Sequence, residues 1–95
     1  MTLDDYLAST RQSHPPAGLT PPLLALWHDK RGDWDAAHGV AQDIDDATGS
    51  WIHAYLHREE GDLGNAAYWY RRAGRPVATA SLDDEWREIV SALLG

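Results

Sequence analysis

Two histidines in the sequence have a spacing that can chelate a metal ion. His53 and His57 are four residues apart, which places both imidazoles on one face of a helix. His28 and Glu60 are further side chains that can complete such a site. In zinc proteases a glutamate follows the first histidine, whereas Ala54 stands at that position in this chain. We therefore expect no resident metal or cofactor, and we keep His53 and His57 as the candidate ligands if a metal binds.

An aromatic pair and a group of arginines indicate a binding surface. Tyr68 and Trp69 are consecutive, so at least one of them must point away from the core of a helical protein. Arg71, Arg72 and Arg75 follow them in an otherwise acidic chain. Arginine is favourable near a helix C-terminus by itself, and its guanidinium also binds carboxylates and phosphates. We expect these five residues to contact a protein, a peptide or a second copy of this chain.

No constellation of catalytic residues can be placed in the sequence. Cysteine is absent, and no nucleophile has a general base at a recognisable spacing. The glycines of Gly61-Asp62-Leu63-Gly64 follow no predicted strand, so they do not form a nucleotide-binding loop. Asp43, Asp45 and Asp46 lack the glycine and the glutamate of a calcium loop. The sequence therefore gives no support for catalysis, and an enzyme stays open only with a site assembled by tertiary contacts.

Charge and composition argue against several classes of function. The chain has 15 acidic side chains and 8 lysines and arginines, so its net charge is −7. The positive charge that drives binding to nucleic-acid phosphates is missing. The same charge disfavours an anionic membrane, and no apolar run reaches the roughly 20 residues that span a bilayer. We expect no secretory signal and, because cysteine is absent, a cytoplasmic location.

Helix signals dominate the sequence, and strand signals are poor. We predict an all-α fold of about six helices, the first of which runs from Leu3 to about Arg11. Thr20 is expected to cap the second helix with its hydroxyl, and Thr48-Gly49-Ser50 is expected to separate the third helix from the fourth. The predicted single domain (1–95) divides into an N-terminal helix with a proline-rich loop (1–19), a first hairpin (20–47), a second hairpin (48–75) and a C-terminal capping helix (76–95).

Two short connections predict antiparallel helix hairpins. At Gly32-Asp33, and again at Gly61-Asp62, a glycine ends one helix and an aspartate caps the next. Connections of this length join only neighbouring antiparallel helices. The two hairpins align at an offset of 29 residues, so they form an internal repeat. The alignment matches His28 with His57, Gly32 with Gly61, Asp33 with Asp62 and Ala37 with Ala66.

The second hairpin resembles a known helical repeat. The run GDLGNAAYWYRRAG, residues 61–74, is similar to the second half of a Sel-type repeat, a relative of the tetratricopeptide repeat. In that family an acidic residue opens the second helix, a small residue follows four positions later, and a Trp-Tyr pair precedes a basic residue and an alanine. Ala66 and Ala73 would let the two helices approach closely, and Tyr70 would fill the groove between them. The resemblance covers residues 23–76.

The resemblance implies a scaffold that binds a peptide or a protein in the concave face of stacked hairpins. It implies a right-handed tetratricopeptide-like stack or a compact bundle, with the first and last helices as caps because two repeats are fewer than a stable solenoid needs. The expected binding surfaces lie at Tyr68, Trp69 and Arg72 and in the groove lined by the second and fourth helices. We therefore predict a protein-interaction module, with a metal-binding protein and an enzyme as the alternatives.

Overall fold

The computed structural model describes residues 1–95 and consists of six α-helices without strands. The predicted all-helical class and the number of helices are confirmed. None of the six helices is long and apolar enough to cross a membrane. In chain order the helices are α1 (Leu3–Ser9), α2 (Pro21–Lys30), α3 (Trp34–Ala41), α4 (Ala47–Glu59), α5 (Leu63–Ala73) and α6 (Leu82–Leu94).

The turns after α2 and α4 have the same backbone geometry. Gly32 and Gly61 adopt left-handed conformations with φ of 82° and 86°, which glycine reaches without a steric penalty. The aspartate after each glycine caps the next helix with its side chain. Because each turn is so short, α2 runs antiparallel to α3 and α4 to α5, and these two pairs pack most extensively. Each turn closes with a backbone hydrogen bond, from Asp33 N–H to the His28 carbonyl (3.0 Å) and from Asp62 N–H to the His57 carbonyl (2.9 Å).

Helix α4 begins earlier than the sequence predicts. The expected separation at Thr48-Gly49-Ser50 is wrong, because Asp46 caps the helix and its carboxylate accepts the N–H of Gly49 at 2.9 Å. Gly49 is a helical residue that lies against the carbonyl of Ile44, and a Cβ at this position would overlap that carbonyl. This glycine therefore allows two chain segments to approach closely and does not form a turn.

Two predictions near the N-terminus also differ from the structure. Helix α1 ends at Ser9 and not at Arg11; the carbonyl of Thr10 accepts a hydrogen bond from the guanidinium of Arg31 (3.0 Å) instead of from a further helical turn. The side chain of Thr20 makes no capping hydrogen bond to α2. Prolines occupy the first two positions of that helix, so two of the N–H groups that need a partner do not exist. The predicted hydroxyl cap is therefore wrong.

The core contains 17 buried hydrophobic side chains, and tryptophans attach the terminal helices to it. Trp86 of α6 donates its indole N–H to the carbonyl of Leu26 in α2 at 3.2 Å. Trp27 of α2 donates to the carbonyl of Ser9, the last residue of α1, also at 3.2 Å. A buried indole N–H without a partner is costly, so these two bonds help to specify how α1 and α6 dock.

Glu85 joins three helices through a buried carboxylate. The sequence places Glu85 in the acid-rich start of the last helix, yet this residue is only 1% exposed. Both oxygens accept from the hydroxyl of Tyr70 in α5, at 2.7 and 2.6 Å. The guanidinium of Arg58 in α4 donates at 2.9 Å and the indole of Trp51 at 3.3 Å. Glu85 thus connects α6 to the second hairpin, and that hairpin carries most of the candidate functional residues.

Candidate functional site

Three histidines from two helices meet beside α5. His53 and His57 of α4 are both buried, and His38 of α3 is half-buried. The Nε2 atoms of His38 and His53 are 3.0 Å apart. One nitrogen from each of the three rings can be chosen so that all lie within 4.8 Å of one another. We name these three residues the histidine cluster.

Two tryptophans hold the rings of the histidine cluster in place. Trp69 of α5 stacks on His53, with ring centroids 3.8 Å apart and planes 10° from parallel. Trp34 stacks on His38 in the same way, at 4.8 Å and 11°. The indole of Trp34 also donates to the carbonyl of Leu56 at 2.8 Å, which fixes that ring against α4. The imidazoles of His38 and His53 therefore each have an aromatic wall that limits their rotation.

Polar neighbours determine how His57 presents its ring nitrogens. Its Nδ1 lies 2.7 Å from a carboxylate oxygen of Glu60, three residues further along the chain. Because an ionised carboxylate only accepts, this contact assigns a proton to Nδ1. The other nitrogen, Nε2, is 3.3 Å from the side-chain amide nitrogen of Asn65. In the neutral ring, Nε2 therefore carries a lone pair.

The environment of His53 favours its neutral form. Burial is the main cause that lowers its pKa, and the nearby His38, His57 and Arg72 lower it further, to about 4. At neutral pH this imidazole is therefore uncharged and keeps a lone pair on one nitrogen. Neutral imidazoles are ligands for zinc, copper, nickel and iron, so His53 has the chemistry of a metal ligand.

The structure brings some of the ligands predicted from the sequence together and leaves one of them apart. His53 and His57 lie together, with ring centroids 4.8 Å apart, and Glu60 contacts His57. His28 does not join them, since its ring packs edge-on against Trp27 within its own helix. Sequence reasoning missed His38. The only local signal was that it lies four residues after Trp34, on one face of α3, and that face turns toward α4 only in the folded chain.

The outer side of α5 carries the predicted aromatic and arginine residues. Tyr68 is 45% exposed, and Trp69 is half-buried because one face of its ring covers His53. The guanidinium of Arg72 lies 5.0 Å from the ring centre of Trp69 and 5.9 Å from that of Tyr68. It also donates to the Tyr68 hydroxyl at 3.3 Å. With the exposed Arg71, these residues form what we name the α5 outer face (Tyr68, Trp69, Arg71 and Arg72).

Arg75 is engaged within the chain, unlike the other two arginines of the predicted group. Its guanidinium lies 3.5 Å from the ring centre of Trp51 and donates to the carboxylate of Glu88 at 3.1 Å. No ion pair in the structure includes Arg71 or Arg72. The predicted five-residue surface is therefore divided between an engaged Arg75 and a pair of arginines that face solvent.

Two concave regions occur in the fold, and neither is lined by residues of both α2 and α4. One cavity, of about 210 Å³, lies under the loop before α6 and is lined by Trp51, Tyr70 and Glu88 among others. The other, of about 540 Å³, lies between the start of α2 and the end of α3, with Asp43 and Asp46 among its lining residues. Neither brings together the residues of the histidine cluster.

Comparison of the chain with protein-family models, with curated proteins and with solved structures gives no match. The tetratricopeptide-like assignment therefore stays a prediction.

Proposed function

We propose that this chain is a protein-interaction module, related to tetratricopeptide-type hairpins, that binds an acidic segment of a partner protein through the α5 outer face. One observation carries the proposal: Arg72 is held over two aromatic rings and pairs with no carboxylate of its own chain. Aromatic residues and arginine are the side chains most enriched in the energetically important parts of protein interfaces.

The distribution of charge supports an acidic partner. The chain has 15 acidic side chains, nearly twice its number of lysines and arginines, yet Arg71 and Arg72 remain unpaired. A planar guanidinium next to an aromatic ring binds a carboxylate in a fixed orientation, because stacking restricts its rotamers. An acidic partner segment would find here an attractive patch on a surface that otherwise repels it.

The backbone supports a relation to repeat hairpins. The turns at Gly32-Asp33 and Gly61-Asp62 share their glycine conformation, their closing hydrogen bond and their aspartate cap. Tyr70 and Ala66 of α5 are buried, as the resemblance implies for the positions that face the first helix of a hairpin. In this proposal the hairpins stack as tetratricopeptide-like units, and α1 and α6 cap them.

A pull-down with matched variants tests the proposal. Tyr68→Ala combined with Arg72→Ala removes the exposed aromatic ring and the free guanidinium, and Arg11→Ala removes an exposed arginine next to α1, a helix that packs on α6. We expect the double variant to weaken partner binding about 30-fold or more, the loss typical of an interface hot spot. Equal recovery by the wild type and the double variant would reject the α5 outer face.

Two measurements distinguish an acidic segment of another protein from a second copy of this chain as the partner. Binding to an acidic segment should weaken as salt rises, because the arginines are exposed and screened by counterions. A second copy of the chain would instead appear as a concentration-dependent doubling of mass in sedimentation equilibrium. A dimer that the double variant abolishes would replace the acidic partner with self-association through the same face.

A further inference from the structure

We propose that His38, His53 and His57 bind one divalent transition-metal ion of the zinc class through a nitrogen of each ring. The proposal concerns a different set of residues from the α5 outer face, and it does not depend on a protein partner. The ion would bridge α3 and α4, two helices that belong to different hairpins.

The distances within the histidine cluster suit a shared ion. Zinc binds imidazole nitrogens at about 2.0–2.1 Å in tetrahedral sites, which puts neighbouring ligand nitrogens roughly 3.3 Å apart. The Nε2 atoms of His38 and His53 are separated by 3.0 Å, close to that value. The chosen nitrogen of His57 lies within 4.8 Å of the others, so a modest ring movement completes a three-nitrogen site.

The site exists before an ion arrives. Without a metal, the 3.0 Å contact between Nε2 of His38 and Nε2 of His53 is an N–H···N hydrogen bond, so the two nitrogens are already adjacent; when an ion replaces this bond, the ring that donates moves its proton to Nδ1 or releases it to solvent. Trp34 and Trp69 keep these two rings in place by stacking. An ion therefore meets ligands that have lost most of their rotational freedom, and this reduces the entropy lost on binding.

Glu60 supplies the outer contact that metal-bound histidines usually have. A ligating imidazole commonly donates its second N–H to a carboxylate, which orients the ring and increases the basicity of the ligand nitrogen. The 2.7 Å contact between His57 Nδ1 and Glu60 has this arrangement, and an ion at Nε2 of His57 would displace the side-chain amide of Asn65, which now lies 3.3 Å from that nitrogen. Three imidazoles fit zinc, nickel and copper better than magnesium or calcium, and they leave a fourth position to water.

A different set of ligands uses the same histidine. His57, Glu60 and Asp62 also bring candidate ligand atoms within 4.8 Å of one another. Glu60 and Asp62 are exposed, however, and the carboxylate of Asp62 already accepts the N–H of Asn65 at 3.2 Å as a helix cap. The two sites differ in His38, which belongs only to the histidine cluster, so this residue decides between them.

Titration of the metal-free full-length chain with Zn²⁺ by calorimetry, and with Co²⁺ by visible absorption, tests the site. We expect one ion per chain and a higher melting temperature with Zn²⁺, since a ligand of the folded state stabilises it. His38→Ala should weaken the affinity more than about 100-fold, because loss of a ligand exceeds the 10- to 100-fold effect of an outer partner. The matched control His28→Ala removes a half-buried histidine outside the cluster and should bind as the wild type does.

Glu60→Gln is a second variant that should fold like the wild type, because Glu60 is exposed and makes no core contact. It should weaken zinc affinity about 10- to 100-fold while helical content in the metal-free state stays unchanged. Less than one ion bound per wild-type chain overturns the proposal. Equal affinity of His38→Ala and the wild type also overturns it and moves the ion to Glu60 and Asp62. If His38→Ala loses its helical content, Asp62→Asn decides, because Asp62 is a ligand only in the other set and asparagine can still cap α5; weaker zinc binding in that variant overturns the three-histidine site, and unchanged binding supports it.

Discussion

Glu85→Gln should destabilise the protein by about 3 kcal/mol, although it replaces one side chain with another of the same shape. Glu85 accepts from Arg58, Trp51 and Tyr70, and a glutamine retains only one acceptor oxygen. Its new NH₂ group must therefore face a donor. Loss of a charge-assisted hydrogen bond costs about 1.5–3 kcal/mol, and an unpaired buried donor costs about 1–3 kcal/mol.

Two features of Arg58 keep the expected destabilisation in the lower part of the range that these two costs give together. The side chain of Arg58 retains 16% exposure, so water reaches it in part. It also donates to the carbonyl of Ala80, and this bond survives the substitution. Removal of one partner of a fully buried ion pair costs about 3–5 kcal/mol, and the remaining contacts of Arg58 should hold the loss near 3 kcal/mol.

Urea unfolding followed by tryptophan fluorescence measures this effect, with a shift of the midpoint at constant slope as the sign of a true stability change. Glu88→Gln is the matched control, because Glu88 lies one turn further along α6. Its side chain is 57% exposed and pairs with the 39% exposed Arg75. An exposed pair of this kind contributes at most about 1 kcal/mol. A loss below about 1 kcal/mol in Glu85→Gln, or one equal to that of Glu88→Gln, would refute the assignment of Glu85 as the connection between α6 and the second hairpin.

Two further substitutions test local features of the fold. Gly49→Ala should destabilise by about 1–3 kcal/mol because its Cβ has no space, whereas Gly39→Ala, where a Cβ meets nothing, should stabilise by up to about 1 kcal/mol in the same unfolding assay. Burial, a hydrogen bond to Asp29 and the charge of Asp29 raise the pKa of Glu59 to about 8. The folded chain therefore holds a proton there that the unfolded chain releases near pH 4.5, so this contribution to stability is complete below pH 4.5 and is lost as pH rises to about 8. Glu59→Gln should be more stable than the wild type at pH 9, by no more than about 1 kcal/mol because Glu59 is partly screened by water, and the advantage should disappear at pH 4; an equal advantage at both pH values contradicts the raised pKa.

Trp69 links the two candidate sites physically. One face of its ring stacks on His53 of the histidine cluster. The guanidinium of Arg72, which belongs to the α5 outer face, lies over the ring of Trp69 as well. A metal ion bound by His53 would therefore also restrict the Trp69 ring in the α5 outer face. The two proposals nevertheless have independent tests, since the variants of one leave the other set of residues intact.

Local signals in the sequence determined the number of helices and the turns of both hairpins. A glycine followed by an aspartate ends one helix and starts the next through hydrogen bonds between residues at most five positions apart, so their pattern is visible in a single sequence. Gly32-Asp33 and Gly61-Asp62 show this most clearly. Gly49 shows the limit of such reasoning, because a glycine that forms a turn and a glycine that allows a close approach look the same in the sequence.

Only the tertiary structure decided which side chains meet across helices. His38 joins His53 across 15 residues of chain, and Glu85 reaches Arg58 across 27. These partners depend on which faces of the helices are packed together, and that choice is made by the burial of the whole core rather than by any local pattern. The sequence therefore predicted the pair His53 and His57 on one helix, while the third histidine and the buried carboxylate became apparent only in the folded chain.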